Sequence, residues 1–426
     1  MTRFFFIICL ILGASSICLA QQKKKPAKPQ VIVYGHHLDA FAAAVQSAQS
    51  GAETLWIMDS TDVGGALTHG QSKQINSNTN LDVGSWALLL KGLTGVEELS
   101  DSAITAAKRN VAPRIVMNVL EAVSDTVKRL TVKKKLSITE VEQSGKGWQV
   151  TLSNKEKIKV SAVVDASKTA PLERPSTDTA IIYQSPLFRT GIAIGQLGNQ
   201  VFNIPFTRIL PDSANRNYFY TRIPLPTTNE PLAEEQTVPL RMLIGQACGA
   251  AAAYCAFFKT SSNDVRVRTL QGELIAYNAA LIPFQDVHLS DIHHAQIQRV
   301  GATGMLEGRI LWVNDQKRFL FQPDSAVSSM EIEPIMKQLY TRSQIWFKDK
   351  QIQKLTLKDL LSLIKYIANR GNELDAEIEK GWSKRFQFKG TYQPDAPLTR
   401  RTFSVLVDTY LQPFNVRVKQ DGHFQY

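Results

Sequence analysis

Gly35, His36, His37 and Asp59 are the residues near the start of this chain whose types and spacing carry chemistry. The apolar run Val31-Ile-Val-Tyr ends at Gly35, an Ala-rich run follows, and a second apolar run from Thr54 ends in Asp59. That order predicts a strand, a tight turn, a helix and a second strand, as in a dinucleotide-binding unit. Gly35 lets the chain turn sharply, and the helix N-terminus presents backbone N–H groups to a pyrophosphate. Ala40, Ala42, Ala43 and Ala44 are small enough for the helix to lie close to a sheet. Asp59, 24 positions after Gly35, stands where a carboxylate accepts hydrogen bonds from ribose hydroxyls. In the G-x-G-x-x-G pattern, the second and third glycines are replaced here by His37 and Ala40. His36 and His37 either hydrogen-bond a phosphate or block the pocket.

A second glycine-rich loop, Val63-Gly-Gly-Ala-Leu-Thr-His-Gly70, holds Gly64, Gly65 and His69. His69 is the best-placed candidate for proton transfer, against the plainer reading of an exposed loop histidine. His288, His293 and His294 invite a metal reading, but no Cys or carboxylate cluster accompanies them, so a surface role is expected and no metal site is assigned. No Gly-x-Ser-x-Gly nucleophile motif, P-loop or paired-acid signature occurs, so no catalytic residue stands out by spacing alone. Cys248 and Cys255 fall in one predicted helix. At ~1.5 Å rise per residue they lie about 10 Å apart, too far for a mutual disulfide, and they read as small core residues.

The chain has 426 residues and a formal charge of +11. Residues 1–20 read as a signal peptide: Arg3 is the positive start, Phe4 to Leu12 the apolar core and Cys18-Leu-Ala20 the cleavage site. A lipoprotein reading at Cys18 ranks second. The apolar run is short for a span of ~20 residues, so no transmembrane segment is expected in the mature chain, which is placed outside the cytoplasm, secreted or periplasmic. Residues 21–29 form a basic linker with Lys23, Lys24, Lys25 and Lys28. The remaining basic residues are spread along the chain without interleaved aromatics, which argues against nucleic acid as a partner and for solvated faces and a solubilising tail.

Residues 30–283 read as an α/β domain. Segments at 127–132, 136–142, 147–152 and 158–164 look like successive strands of a small antiparallel insert returning to Val163-Val-Asp-Ala-Ser167. A helix is expected over 103–122, and 241–258 reads as a long buried helix. Residues 284–426 read as a mainly helical module. Phe321-Gln-Pro-Asp-Ser-Ala-Val-Ser recurs as Tyr392-Gln-Pro-Asp-Ala-Pro-Leu-Thr at an offset of 71, each followed by helical periodicity.

Four segments in order resemble the FAD-dependent oxidoreductase family common among exported bacterial flavoproteins. They are Val31 to Gly35 with its helix, Gly64-Gly65-Ala66-Leu67-Thr68, Val163-Val-Asp-Ala166-Ser167 and Ile244-Gly245-Gln-Ala-Cys-Gly249-Ala-Ala-Ala252. The resemblance implies a Rossmann-like FAD/NAD(P)-binding domain with a mixed β insert and non-covalent FAD. Its cofactor contacts would fall on Gly35, His36, His37, Ala40, Asp59, Gly64, Gly65, Ala166, Gly245 and Gly249. Lys168 departs from the family pattern, and the family's late Ala-Gly-Arg segment is reduced to Tyr220-Thr-Arg222. Residues 284–426 resemble S-layer homology repeats, whose Thr-Arg element would fall on Thr399, Arg400 and Arg401 and would imply cell-wall polysaccharide as a partner. Two readings therefore stand. One is an exported FAD-dependent oxidoreductase acting on a small organic or glycan-derived substrate. The other is a degenerate, non-catalytic flavoprotein fold serving as an envelope or glycan-binding protein.

Overall fold

The computed structural model describes residues 27–167, 182–211, 216–225, 232–348 and 350–426. The predicted first unit forms as strand β1 (Val31–Tyr34), helix α1 (Leu38–Gln49) and strand β2 (Thr54–Ile57). Helices α2 (Gly84–Thr94), α3 (Asp101–Arg109) and α4 (Pro113–Thr126) then lead to β3 (Leu130–Lys133). An antiparallel insert follows, of β4 (Ile138–Ser144), β5 (Gly147–Leu152) and β6 (Lys157–Val160), and the chain re-enters the main sheet as β7 (Ala162–Asp165). Hairpin β8 (Gly191–Leu197) and β9 (Gln200–Pro205) precedes the edge strand β10 (Tyr218–Tyr220).

The main sheet has the order β10-β7-β1-β2-β3, with all pairs parallel. Its central strands β7, β1 and β2 are buried and mostly apolar, as a helix-covered parallel sheet requires. The strand order reverses between β1 and β7, which makes their C-terminal ends the crevice where doubly wound folds hold ligands.

Three boundaries differ from the sequence expectation. Residues 127–132 do not join the insert: β3 pairs in parallel with β2, and its charged neighbours lie on the exposed sheet edge. The run 158–164 splits at Ser161 into an insert strand and β7. The helix expected over 103–122 breaks in two, because Pro113 cannot donate within a helix and starts α4 at its first turn.

A buried ion pair fixes the segment after the glycine loop. Lys108 Nζ lies 2.5 Å from Asp82 Oδ2 and 2.9 Å from the Ser77 carbonyl. Trp86 Nε1 donates to Asp82 Oδ1 at 2.7 Å, yet burial still pushes the Asp82 carboxyl up. Lys108→Met would strand that carboxylate, and we expect a loss of about 3–5 kcal/mol in urea unfolding.

Helix α5 (Glu234–Phe258) is long and apolar enough to cross a membrane by length and composition, but 83% of its most apolar stretch is buried inside this fold. It packs along α1 through its small residues. A side chain built on Gly245 would meet the Asp39 carbonyl at 2.1 Å, and one on Gly249 the Ala43 carbonyl at 2.2 Å. Cys248 and Cys255 lie in the same helix as buried free thiols, and burial raises Cys255 to about 12.

After α6 (Val267–Ala276) a second core takes over, running from Ile275 to Phe414 with Phe188 inserted from the first part. It contains α7 (His294–Gly301), hairpin β11 (Arg309–Val313) and β12 (Gln316–Leu320), and α8 (Ser329–Leu339). Helices α9 (Ser343–Trp346), α10 (Leu357–Ala368), α11 (Glu373–Gly381) and α12 (Arg400–Tyr410) follow, with a final hairpin β13 (Arg417–Val418) and β14 (Phe424–Gln425). The two sequence-similar turns start α8 and α12 as expected, capped by Ser328 and Thr399. A third turn, invisible as a sequence repeat, starts α10 with a Thr356–Asp359 capping box. The residues before the caps close a ring of backbone bonds: Val327 N to Leu398 O at 3.0 Å, Leu398 N to Leu355 O at 2.7 Å, and Leu355 N to Val327 O at 2.8 Å.

Candidate functional site

The crevice between β1 and β7 begins at Gly35, whose φ of +133° and close approach to Ala166 leave no room for a Cβ. An atom there would lie 2.8 Å from the Ala166 carbonyl. Only glycine satisfies both constraints, so this position matches its predicted role. The backbone then enters α1, with His37 in the extended N-cap position and no side-chain cap bond. Ala40 is fully buried on the helix, as close sheet packing requires.

The two histidines close over this turn. Their rings stack with centroids 4.4 Å apart, and His36 Nδ1 lies 2.5 Å from Asp59 Oδ1. The acid expected to receive a ribose is thus engaged by the imidazole beside the glycine. The second glycine loop clasps the pair from the other side, with Gly64 N donating to the His36 carbonyl at 2.5 Å. A Cβ on Gly64 would strike the His36 ring at 2.6 Å, and one on Gly65, at φ +113°, would lie 3.1 Å from His37 Nδ1. The glycines predicted to cover a cofactor cover histidines in this arrangement.

A cavity of about 220 Å³ remains, bounded by His37, Asp39, Gly65, Arg222 and Arg241. It is smaller than the ~300–1,000 Å³ typical of sites that enclose an organic ligand. Asp39, Arg222 and Arg241 were not singled out as contacts by sequence. Asp39 is 1% exposed and accepts from Thr221 Oγ1 at 2.6 Å, with Arg222 Nε 3.5 Å away. Arg222 Nε also donates to the Ala166 carbonyl at 3.2 Å, and Arg241 Nη1 donates to the Ile223 carbonyl at 2.6 Å. Tyr220-Thr-Arg222, which departs from the family segment, supplies Thr221 and Arg222 to this corner. Across the crevice Asp165 is buried, accepting from Ser167 N at 2.8 Å and Tyr218 Oη at 3.0 Å. Burial raises the Tyr218 phenol, and the nearby carboxylate adds to it.

Other expected site residues lie elsewhere. Gly245 and Gly249 face the α1 backbone, so they are corrected from cofactor contacts to helix-packing positions. They sit in the middle of α5, far along from its start at Glu234, because the helix extends further upstream than its sequence pattern suggested. His69 is exposed, with Nδ1 2.9 Å from Thr68 Oγ1, and does not reach the crevice pair. Lys168 lies outside the described residues.

The comparisons agree with this architecture. Residues 30–174, less than half of the chain, match the family model described as FAD dependent oxidoreductase. Over those residues the chain is similar to that family. Among solved structures, the bacillithiol disulfide reductase Bdr (YpdA) from Staphylococcus aureus is 14% identical, covering 34% of this chain and 42% of its own, at a TM-score of 0.25. OTEMO in complex with FAD and NADP is 18% identical, covering 36% and 28%, with a TM-score of 0.25. Cyclohexanone monooxygenase in an open form is 16% identical, covering 33% and 26%, with a TM-score of 0.24. The chain therefore spans less than half the length of these structures. No curated protein matches it.

The backbone of the FAD fold fits the group: the parallel sheet, Gly35, the α1 N-terminus and Asp59 are all in place. The His36 and His37 side chains do not fit it as they stand, since one holds the ribose acid and the other faces Gly65. Admission of FAD requires both rings to turn outward.

In the C-terminal module, Arg400 is fully buried against Glu331 and the Glu307 carbonyl, so it is not open to a ligand. Arg401 is held by Asp291 at 2.6 Å and lines a cavity of about 550 Å³ with Trp382 and Phe388. Trp382 Nε1 is buried there without a hydrogen-bond partner. The three histidines do not converge. His288 pairs with Asp101 at 3.2 Å, His293 Nε2 lies 2.6 Å from the Phe386 carbonyl, and His294 is buried.

Burial lowers the His294 pKa to about 4. A folded value below the unfolded one means that stability from the neutral ring is intact above about 6.5 and is lost as pH falls toward 4. We expect His294→Gln to flatten that loss, worth about 3 kcal/mol at its limit, in denaturant unfolding followed across this pH range.

Proposed function

We propose that the chain is an exported flavoprotein that binds FAD non-covalently at the β1–β7 crevice and oxidises or reduces a small organic or glycan-derived substrate. One observation carries the reading: the strand order of the parallel sheet reverses beside β1, which ends at Gly35, and the acid after β2 stands beside that turn within the span similar to the FAD family. The α1 N-terminus would receive the pyrophosphate, and Asp59 the adenosine ribose once His36 swings away. Bound FAD would supply the two-electron chemistry. Residues 1–20 support export by their charge, apolar core and small-residue end. The test is anaerobic bleaching of the FAD-loaded protein by a panel of sugars, hydroxy acids and amines. Bleaching by one class supports the reading, and a flavin that no panel member and no artificial donor or acceptor alters contradicts it.

The closed histidine pair favours a second reading, a non-catalytic fold held at the envelope. Under it the cavity beside Trp382 and Arg401 would hold wall polysaccharide. Sedimentation with purified cell walls, lost in Trp382→Ala and Arg401→Ala, supports this reading. Equal sedimentation of both variants contradicts it.

A further inference from the structure

A second cleft, unrelated to the crevice histidines, lies where the two cores meet. It measures about 540 Å³. Five segments from both parts of the chain build it: the loop after the glycine motif, the turn of hairpin β8–β9, the first turn of α5, Gln285, and the tip of hairpin β11–β12. Its lining is dominated by carboxamides. Leu197 and Leu232 are the apolar residues among those described that reach it.

The amides are fixed in place by the backbone. Gln236 Oε1 accepts from Asn76 N at 2.8 Å, while its Nε2 donates to the Gln74 carbonyl at 2.7 Å. Gln196 Oε1 accepts from Asn78 N at 3.3 Å. Gln285 is 8% exposed, and its Oε1 accepts from Phe319 N at 2.8 Å. Preorganised amides of this kind present donors and acceptors without further entropy loss on binding.

The charge is one-sided. Lys317 and Arg318 stand on the β12 side of the mouth, and no carboxylate is among the described lining residues. Trp312 sits opposite Lys317 in the hairpin register and is 70% exposed, with Lys317 Nζ 5.4 Å from its ring centroid. A peptide ligand would call for apolar side-chain pockets or a free strand edge, and a nucleic acid for more cations and stacking rings. Rows of hydroxyls call for amides, and a carboxylate for the Arg318 fork.

We propose that this cleft binds a saccharide carrying a carboxylate. This goes beyond the oxidoreductase reading, and binding is read without flavin. The experiment is calorimetric titration of the flavin-free protein with trigalacturonate, with maltotriose as the neutral control. Saturable binding of trigalacturonate, weakened roughly tenfold in Lys317→Ala/Arg318→Ala at unchanged thermal stability, supports the proposal. Equal affinity for maltotriose, affinity unmoved by the variant, or no binding of trigalacturonate overturns it. Saccharide binding in a protein that never takes up FAD would fail the oxidoreductase reading alone. FAD uptake without saccharide binding would fail this inference alone.

Discussion

His36→Ala/His37→Gly should bind FAD about tenfold or more tightly than the parent chain, read by quenching of flavin fluorescence. The parent must break the His36–Asp59 contact at 2.5 Å and unstack two rings from the Gly64–Gly65 loop before ribose and pyrophosphate can enter. A site that is open only part of the time has its apparent affinity reduced by the open fraction. The His36–Asp59 contact is partly exposed and is worth at most about 1 kcal/mol by itself, so most of the gain should come from clearing His37 off the phosphate turn. Glycine is acceptable at the N-cap that His37 occupies, so α1 should be little disturbed. Adding Asp59→Ala to the same background should cost about tenfold or more, because hydrogen bonds to a charged group contribute roughly 1.5–3 kcal/mol. An affinity that does not improve in the double variant would show that the histidines help to hold the cofactor.

Gly249→Ala should destabilise the fold by roughly 3 kcal/mol or more in urea unfolding. Helix propensity alone predicts the opposite sign, since alanine is better than glycine by about 1 kcal/mol inside a helix. The new Cβ would stand 2.2 Å from the Ala43 carbonyl oxygen, and backbone cannot step aside as a flexible side chain can. Gly272, inside α6, is the control, because nothing lies within 4 Å of the Cβ it would gain. Gly272→Ala should stabilise by roughly 0.5–1 kcal/mol. If both alanines stabilise, the close contact between α1 and α5 is wrong.

The first unit was legible because its constraints are local. An apolar run ending in glycine, an Ala-rich helix and a second run ending in Asp59 all concern neighbours in sequence, and the sheet register confirms each element. The long helix was legible in type and misread in role. Gly245 and Gly249 carry a spacing of four, which fits both a family motif and a helix-packing face, and only the position of α1 separates the two. The break at Pro113 was readable from the proline itself. The parallel pairing of β3 was not, because a strand of mixed polarity on a sheet edge looks like an insert strand. At the site, sequence identified His36, His37 and Asp59 but not their mutual contact, which depends on ring orientation. Asp39, Arg222 and Arg241 come from three separate segments, and no spacing rule joins them. The third capped turn of the C-terminal ring escaped notice because Thr356 lacks the Gln-Pro-Asp lead shared by the other two.

The most direct test of the account is titration of residues 21–426 with FAD, followed by flavin fluorescence and the visible spectrum. The account predicts saturable uptake of one FAD per chain, weakened by Asp59→Ala and strengthened by His36→Ala/His37→Gly. No uptake by the parent and none by the double variant would contradict it, and would leave an oxidoreductase fold that has given up its cofactor.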